Sequence, residues 1–285
     1  MTDEIWTVRR VLTWTQGHFE KQQVDAPRLT AELLLAHTLK VDRVKLFMEI
    51  DWPLHKDELA TYRALIQRRM QGEPTQYLTG LKDFYGRKIA VDPRVLIPRP
   101  ETELLVEATL GALPKDQPSR VLDLCTGSGC IAVTIAAERP QASVWATDLS
   151  KDAAVVARQN AEQLNVASRV TVLEGDLFQA VPEGAKFDAI VSNPPYVKTG
   201  ELAALQREVQ REPKTALDGG RDGLDFVRRI ADGAKARLKT GGLLALEIGD
   251  DQGPQVNEIL TRAGYREVRV EKDLARLDRL ALARI

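Results

Sequence analysis

Asn193-Pro194-Pro195-Tyr196 follows directly on an apolar, strand-like run from Phe187 to Ser192. Two consecutive prolines fix φ and delete two backbone donors, so the carbonyls here face outward as acceptors with no competing N–H. The Asn193 side-chain carbonyl and the Pro194 backbone carbonyl can accept both hydrogens of a planar NH₂ group, while the Tyr196 ring packs against its flat face. An amide nitrogen is a weak nucleophile because its lone pair is delocalised. Two acceptors polarise its N–H bonds, positioning supplies most of the acceleration, and no dedicated general base is demanded. Asn193 to Tyr196, Pro195 included, are therefore the expected substrate-binding residues, with Asn193, Pro194 and Tyr196 next to the chemistry. The same four residues also suit a proline turn that merely ends a strand.

A second stretch supplies a ligand site. Val121-Leu122-Asp123-Leu124 leads through Cys125-Thr126-Gly127-Ser128-Gly129 into a helical pattern beginning at Cys130. The two glycines let backbone approach a ligand, with helix N–H groups facing it. Asp148 comes 19 residues after Gly129, at the end of the next strand, where a carboxylate can hold both hydroxyls of a ribose. The pair reads as an adenosine site, although Gly127, Gly129 and Ala132 also satisfy the loose dinucleotide pattern. At the end of a third strand, Asp176 and Leu177 are placed to flank the adenine. Asp123 and a terminal antiparallel hairpin resemble features of class I methyltransferases, which favours S-adenosylmethionine over a nicotinamide.

These residues need a scaffold. From residue 101 onward strand-like and helix-like runs alternate: Val121 to Leu124, 130–138, Val144 to Thr147, 151–164, Val170 to Leu173, Phe187 to Ser192, a helix near 222–238, Leu243 to Ile248 and a helix near 255–263. Such alternation predicts a parallel sheet with helices on both faces. Glu267 to Val270 and Leu277 to Leu282 are too close for a helical crossover and predict the antiparallel hairpin. Residues 1–75 carry helix-period apolar spacing, with Leu29, Leu33, Leu34 and His37 on one helix and Leu59, Tyr62, Leu65, Ile66 and Met70 on another. Pro27 suits the first turn of the second helix. The glycines and prolines of residues 76–100 predict a hairpin linker around Phe84-Tyr85 and Ile89 to Val91. The organisation expected is a helical domain, 1–75, for substrate recognition, the linker, 76–100, and a catalytic domain, 101–285.

Charge and composition narrow the field. Forty Lys and Arg against forty-one Asp and Glu give a net charge of -1, and residues 1–80 hold eleven of each sign, so no positive field draws nucleic acid. The start, Met1-Thr2-Asp3-Glu4-Ile5, lacks a signal-peptide pattern, and no apolar run reaches the ~18 residues a membrane span needs. Cys125 and Cys130 flank a tight turn and read as reduced packing residues in a cytoplasmic protein. His18, His37 and His55 show no metal-ligand spacing, so no metal is expected. Arg207, Arg211, Arg228 and Arg229 read as a solvated face.

Over nearly its whole length the chain resembles the release factor glutamine N5-methyltransferases. Beyond the two stretches above, the resemblance is carried by Tyr77 to Gly80, Ile97-Pro98-Arg99-Pro100-Glu101-Thr102-Glu103, Glu212 to Gly220, Asp222-Gly223-Leu224, Leu246-Glu247-Ile248-Gly249 and Gln252-Gly253. It implies an α/β class I S-adenosylmethionine-dependent methyltransferase fold, a Rossmann-like sheet with a C-terminal antiparallel hairpin, plus a small N-terminal helical bundle. It implies methyl transfer to the glutamine side-chain amide in the Gly-Gly-Gln loop of peptide chain release factors, which are the expected partners; no membrane or direct nucleic-acid partner is expected. It sets Cys125, Thr126, Gly127, Ser128 and Gly129 on the cofactor's methionine part, Asp148 on its ribose and Asp176 and Leu177 beside its adenine, with Asn193 shared between cofactor and substrate. The chain departs from the family at Cys125 and Arg276, where glycine is usual, and at Leu177, where some members carry an aromatic ring. An amino-group methyltransferase of nucleic acid, acting on adenine N6 or guanine N2, shares the tetrapeptide but calls for a basic surface. A nicotinamide-dependent oxidoreductase leaves the tetrapeptide without a role, and a non-catalytic adenosine binder would bind without turnover.

Overall fold

The computed structural model describes residues 5–285, so the reading of the amino-terminal Met1-Thr2-Asp3-Glu4 lies outside the described residues. The chain forms two compact units. One runs to Gly80 and includes Arg207–Arg211; the other is Leu81–Gln206 with Glu212–Ile285. Among the described residues no helix is long and apolar enough to cross a membrane.

The first unit contains α1 (Val8–Lys21), α2 (Pro27–Leu39), α3 (Arg43–Met48), α4 (Lys56–Met70) and α5 (Thr75–Thr79). The Thr7 hydroxyl caps α1 by accepting from the Arg10 N–H, and Pro27 opens α2 as its fixed φ predicts. Val8, Val11, Phe19, Leu34, Leu35, Leu46, Tyr62, Leu65 and Ile66 form the core. The stripe on α2 is rotated from the one the spacing suggests. Leu34 and Leu35 are buried, whereas Leu29 and His37 face solvent. Glu32, buried on that helix, accepts from Arg28 at 2.8 Å and pairs with Arg43 at 2.5 Å. Burial opposes its charge, but the two guanidinium groups prevail and hold its carboxyl below the usual range. Within the same unit the buried Arg69 guanidinium pairs with Glu208, and Arg211 donates to the Gln71 carbonyl at 3.0 Å.

The second unit opens with a hairpin, β1 (Leu81–Phe84) and β2 (Arg87–Ala90), then continues through α6 (Thr102–Ala112), β3 (Ser119–Leu124), α7 (Cys130–Glu138), β4 (Ala142–Asp148), α8 (Lys151–Gln163), β5 (Val170–Glu174), β6 (Phe187–Ser192), α9 (Asp225–Lys235), β7 (Leu238–Glu247), α10 (Gly253–Arg262), β8 (Arg266–Lys272) and β9 (Asp278–Arg284). The seven-stranded sheet has the order β5-β4-β3-β6-β7-β9-β8. Strands β5 to β7 in that order run parallel, β9 is antiparallel to β7 and β8 antiparallel to β9. The predicted sheet and terminal hairpin are both present. Patterning singles out no element between 101 and 120, yet α6 fills most of it. The helix expected to reach 238 stops at Lys235, because Leu238 already pairs with Phe187 ahead of an irregularity in the β6–β7 register.

Strand order turns round at β3: β4 lies on one side and β6 on the other. In open α/β sheets the crevice outside the carboxyl ends at such a switch point holds the ligand. The register puts Leu124 opposite both Thr147 and Ser192, so the loops after β3, β4 and β6 leave from one edge.

Candidate active site

The glycine-rich turn begins at Cys125, whose φ of 58° is left-handed. That backbone suits glycine, which accounts for the departure noted there: cysteine keeps the conformation at a steric cost. Burial pushes the Cys125 thiol up, and Cys130 up to about 12, so neither is a thiolate at neutral pH. The Thr126 hydroxyl donates to Asp123 Oδ2 at 2.5 Å, while Asp123 Oδ1 is buried and makes no well-formed hydrogen bond among the described residues. Burial pushes the Asp123 carboxyl up to about 7, opposed by the Thr126 hydroxyl, helped by the charge of Asp148 and opposed again by the Ala132 N–H at the start of α7. Gly127 has φ +54° and open space where a Cβ would stand; at Gly129 a Cβ would lie 3.0 Å from that of Ala157. Gly129 thus permits α7 and α8 to approach, and Gly127 leaves room for a ligand. The buried Ser128 offers its carbonyl to Asn160 Nδ2 at 2.8 Å, and Asn160 also bonds both backbone groups of Ala90. One side chain ties the hairpin to the turn.

Asp148 Oδ2 accepts from the Gly127 N–H at 2.8 Å and Oδ1 from the Ser150 N–H at 2.9 Å. Burial raises its pKa, with those two N–H groups opposing the shift. Each oxygen keeps a second lone pair for a hydroxyl. Asp176 pairs with Arg229 at 2.6 Å, so that arginine is engaged at the rim. Leu177 is 6% exposed and shares the core with Leu122, Leu124 and Phe187, and its carbonyl accepts from the Thr147 hydroxyl at 2.9 Å.

Across the switch point, Ser192 donates to the Leu124 carbonyl at 2.7 Å and so joins the ends of β3 and β6. Pro194 and Pro195 are buried; Asn193 and Tyr196 are half-buried. The buried Gln252 clamps the tetrapeptide: its Nε2 donates to the Tyr196 carbonyl at 3.0 Å and to the Gly223 carbonyl at 3.2 Å, while its Oε1 accepts from the Gly249 N–H at 2.9 Å. A Cβ on Gly219 would meet the Pro195 oxygen at 2.7 Å. Asn193 Nδ2 donates to Thr102 Oγ1 at 3.1 Å, and Thr102 Oγ1 donates to Glu247 Oε2 at 2.6 Å. Burial pushes the Glu247 carboxyl up to about 7 despite the Thr102 hydroxyl and Arg279. Glu212 accepts from the Ile97 N–H at 3.0 Å and from Arg99 at 2.6 Å. Thr102, Glu212, Gly219, Gly223, Glu247 and Gln252 thus support the site from segments that sequence reading marks only as motif, with no role attached.

Two family models match the chain, that of the PrmC N-terminal domain over residues 10–80 and that of the methyltransferase small domain over residues 101–221. A release factor glutamine methyltransferase of Geobacter sulfurreducens is 44% identical over 99% of this chain and 98% of its own length. The chain belongs to the release factor glutamine methyltransferase family. Another family member, from Moorella thermoacetica, is 43% identical over 97% of this chain and 98% of its own. A solved methyltransferase from Pyrococcus furiosus superposes with a TM-score of 0.54 at 21% identity, over 79% of this chain and 98% of that one, a likeness of fold.

The methyltransferase domain implies S-adenosylmethionine as methyl donor, and the residues present suit it. Asp123 Oδ1, which makes no well-formed hydrogen bond among the described residues, is a buried acceptor where an ammonium group would be compensated, and Gly127 leaves backbone open beside it. Asp148 stands at the end of the neighbouring strand for the ribose.

Proposed function

We propose that this family member transfers a methyl group from S-adenosylmethionine to the side-chain amide nitrogen, N5, of the glutamine in the Gly-Gly-Gln loop of peptide chain release factors, in the cytoplasm. The observation that carries the reading is that the glycine-rich turn and Asn193-Pro194-Pro195-Tyr196 leave adjacent strands, β3 and β6, on one edge of the sheet. When bound, the cofactor supplies an electrophilic methyl on a positively charged sulfur. Asn193 Oδ1 and the Pro194 carbonyl accept the two amide hydrogens and raise electron density on nitrogen. The Tyr196 ring packs on the amide plane, and Gln252 and Gly223 hold the backbone of that residue. Methyl transfer to the nitrogen would be matched by departure of the sulfur with the bonding electrons, and one amide proton would leave along the hydrogen bond to its acceptor and pass to water. Positioning accounts for most of the acceleration.

Residues up to 80 form the recognition domain in this reading. A groove in the first unit is lined by Trp6, Trp14, His18, Tyr62 and Met70, and Trp14 is 53% exposed with its ring 5.1 Å from His18 in a stack. Exposed tryptophan beside an apolar groove suits a protein partner.

Asn193→Ala tests the chemistry. It removes an acceptor that substrate uses and cofactor scarcely does, so turnover should fall by about 10³-fold or more while S-adenosylmethionine affinity stays within about threefold. Cofactor affinity collapsing in step with turnover would move Asn193 into the cofactor shell.

A further inference from the structure

An asparagine that must offer its oxygen to a substrate faces an ambiguity, because its O and NH₂ ends are almost the same shape and exchange by a half-turn of the side chain. We propose that Thr102 and Glu247 are positioning residues that lock the Asn193 amide with Oδ1 toward the substrate nitrogen; this rests on the reading of the tetrapeptide given above. Asn193 Nδ2 donates to Thr102 Oγ1 at 3.1 Å, and Thr102 Oγ1 donates to Glu247 Oε2 at 2.6 Å. Thr102 and Glu247 are each 1% exposed, so water does not substitute for either partner. A hydroxyl has one hydrogen, and the Glu247 carboxyl, once ionised above about pH 7, can only accept. With that hydrogen committed to Glu247 in a short bond, the Thr102 oxygen presents only lone pairs to Asn193. The NH₂ end satisfies them. The flipped amide would set its oxygen against the buried Thr102 oxygen, leaving that acceptor unpaired.

The fold supports this chain of bonds from three directions. Asn193 follows β6, Glu247 ends the neighbouring β7, and the register pairs Ser192 with Leu246, so the two residues are next along their strands. Thr102 opens α6, 91 residues from Asn193 and 145 from Glu247. Glu212 anchors the preceding segment through the Ile97 N–H and Arg99, which fixes where that helix begins. A buried carboxylate and hydroxyl add little stability over an apolar pair of similar volume. Orientation of Asn193 is what they supply.

Steady-state kinetics on an unmodified release factor, with cofactor affinity measured by calorimetry using S-adenosylhomocysteine, distinguish the roles. Thr102→Val should lower kcat by about 10- to 100-fold with KM and cofactor affinity within about threefold, since only the geometry of the reacting nitrogen is lost. Thr102→Ser, which retains the hydroxyl, should return kcat to within about threefold of wild type. Should Thr102→Val fold poorly with Glu247 unpaired, the double variant Thr102→Val, Glu247→Leu removes both polar groups and carries the same expectation. Wild-type kcat in Thr102→Val or the double variant, with Asn193→Ala inactive, would overturn the lock and leave the tetrapeptide reading standing. Thr102→Ser as impaired as Thr102→Val would also overturn it. An active Asn193→Ala would overturn the tetrapeptide reading and the lock together.

Discussion

Asp123 is the residue at which burial, charge and ligand requirement meet. Its ordinary pKa of 3.8 is pushed up to about 7, chiefly by burial, and its Oδ1 makes no well-formed hydrogen bond among the described residues. Between those pH values the folded state retains a proton that the unfolded chain has lost. The contribution to stability is therefore fully present below about pH 4 and is lost as pH rises through about 7. Glu247, raised from 4.5 to about 7 by burial, acts in the same sense. Thermal melts of the ligand-free protein should accordingly show falling stability from pH 5 to 8. The increment in Tm from S-adenosylhomocysteine should grow over the same range, because its ammonium favours the Asp123 carboxylate. Asp123→Asn should flatten that growth and weaken ligand binding about tenfold or more; an unchanged pH dependence in that variant would assign the effect elsewhere. Asp123, Asp148 and the tetrapeptide were legible because each lies within a few residues of a strand end with a recognisable pattern. Thr102, Glu247 and Gln252 were not, since a hydroxyl or carboxamide that reaches the site from another segment leaves no local spacing to read.

At the scale of elements, the sheet was legible from hydrophobic alternation, and its terminal hairpin from the shortness of the connection between 270 and 277. What sequence patterning missed was α6, whose apolar residues follow a proline-rich segment that reads as loop. The hairpin turn resolves the departure at Arg276. Its φ is 64°, the Arg276 N–H donates to the Asp273 carbonyl at 2.9 Å, and the Leu277 N–H donates to Asp273 Oδ1 at 3.0 Å. The turn is the one glycine would make, built with arginine at the cost of a left-handed side-chain-bearing residue. Arg276→Gly should therefore raise stability by up to about 1 kcal/mol, the relief of strain less the extra freedom of the unfolded chain. Urea unfolding midpoints measure this, and a lowered midpoint would mean that the Arg276 side chain contributes more than its backbone costs. Cys125→Val, which puts a β-branched side chain at φ 58°, should destabilise the first strand–helix turn.

The chain folds as two units, one helical and one built on the seven-stranded sheet. Helix-period spacing was enough to identify the first as a bundle, but not to phase α2, because three adjacent leucines, Leu33 to Leu35, satisfy more than one apolar stripe. Recognition by this unit makes a separable prediction: Trp14→Ala should raise KM for an intact release factor about fivefold or more while leaving kcat and cofactor affinity near wild type. An unchanged KM would remove Trp14 from the recognition surface. The near balance of charge, forty basic against forty-one acidic residues, sets the expectation of a protein substrate against one of nucleic acid. The most direct test of that account is to incubate the protein with S-adenosylmethionine and an unmodified release factor, with DNA and RNA in parallel reactions, and to locate the transferred methyl group by peptide mass spectrometry. The result predicted is a single methyl on the glutamine side chain of Gly-Gly-Gln and none on nucleic acid. Methyl on an adenine or guanine amino group, with the glutamine unmodified, would contradict it.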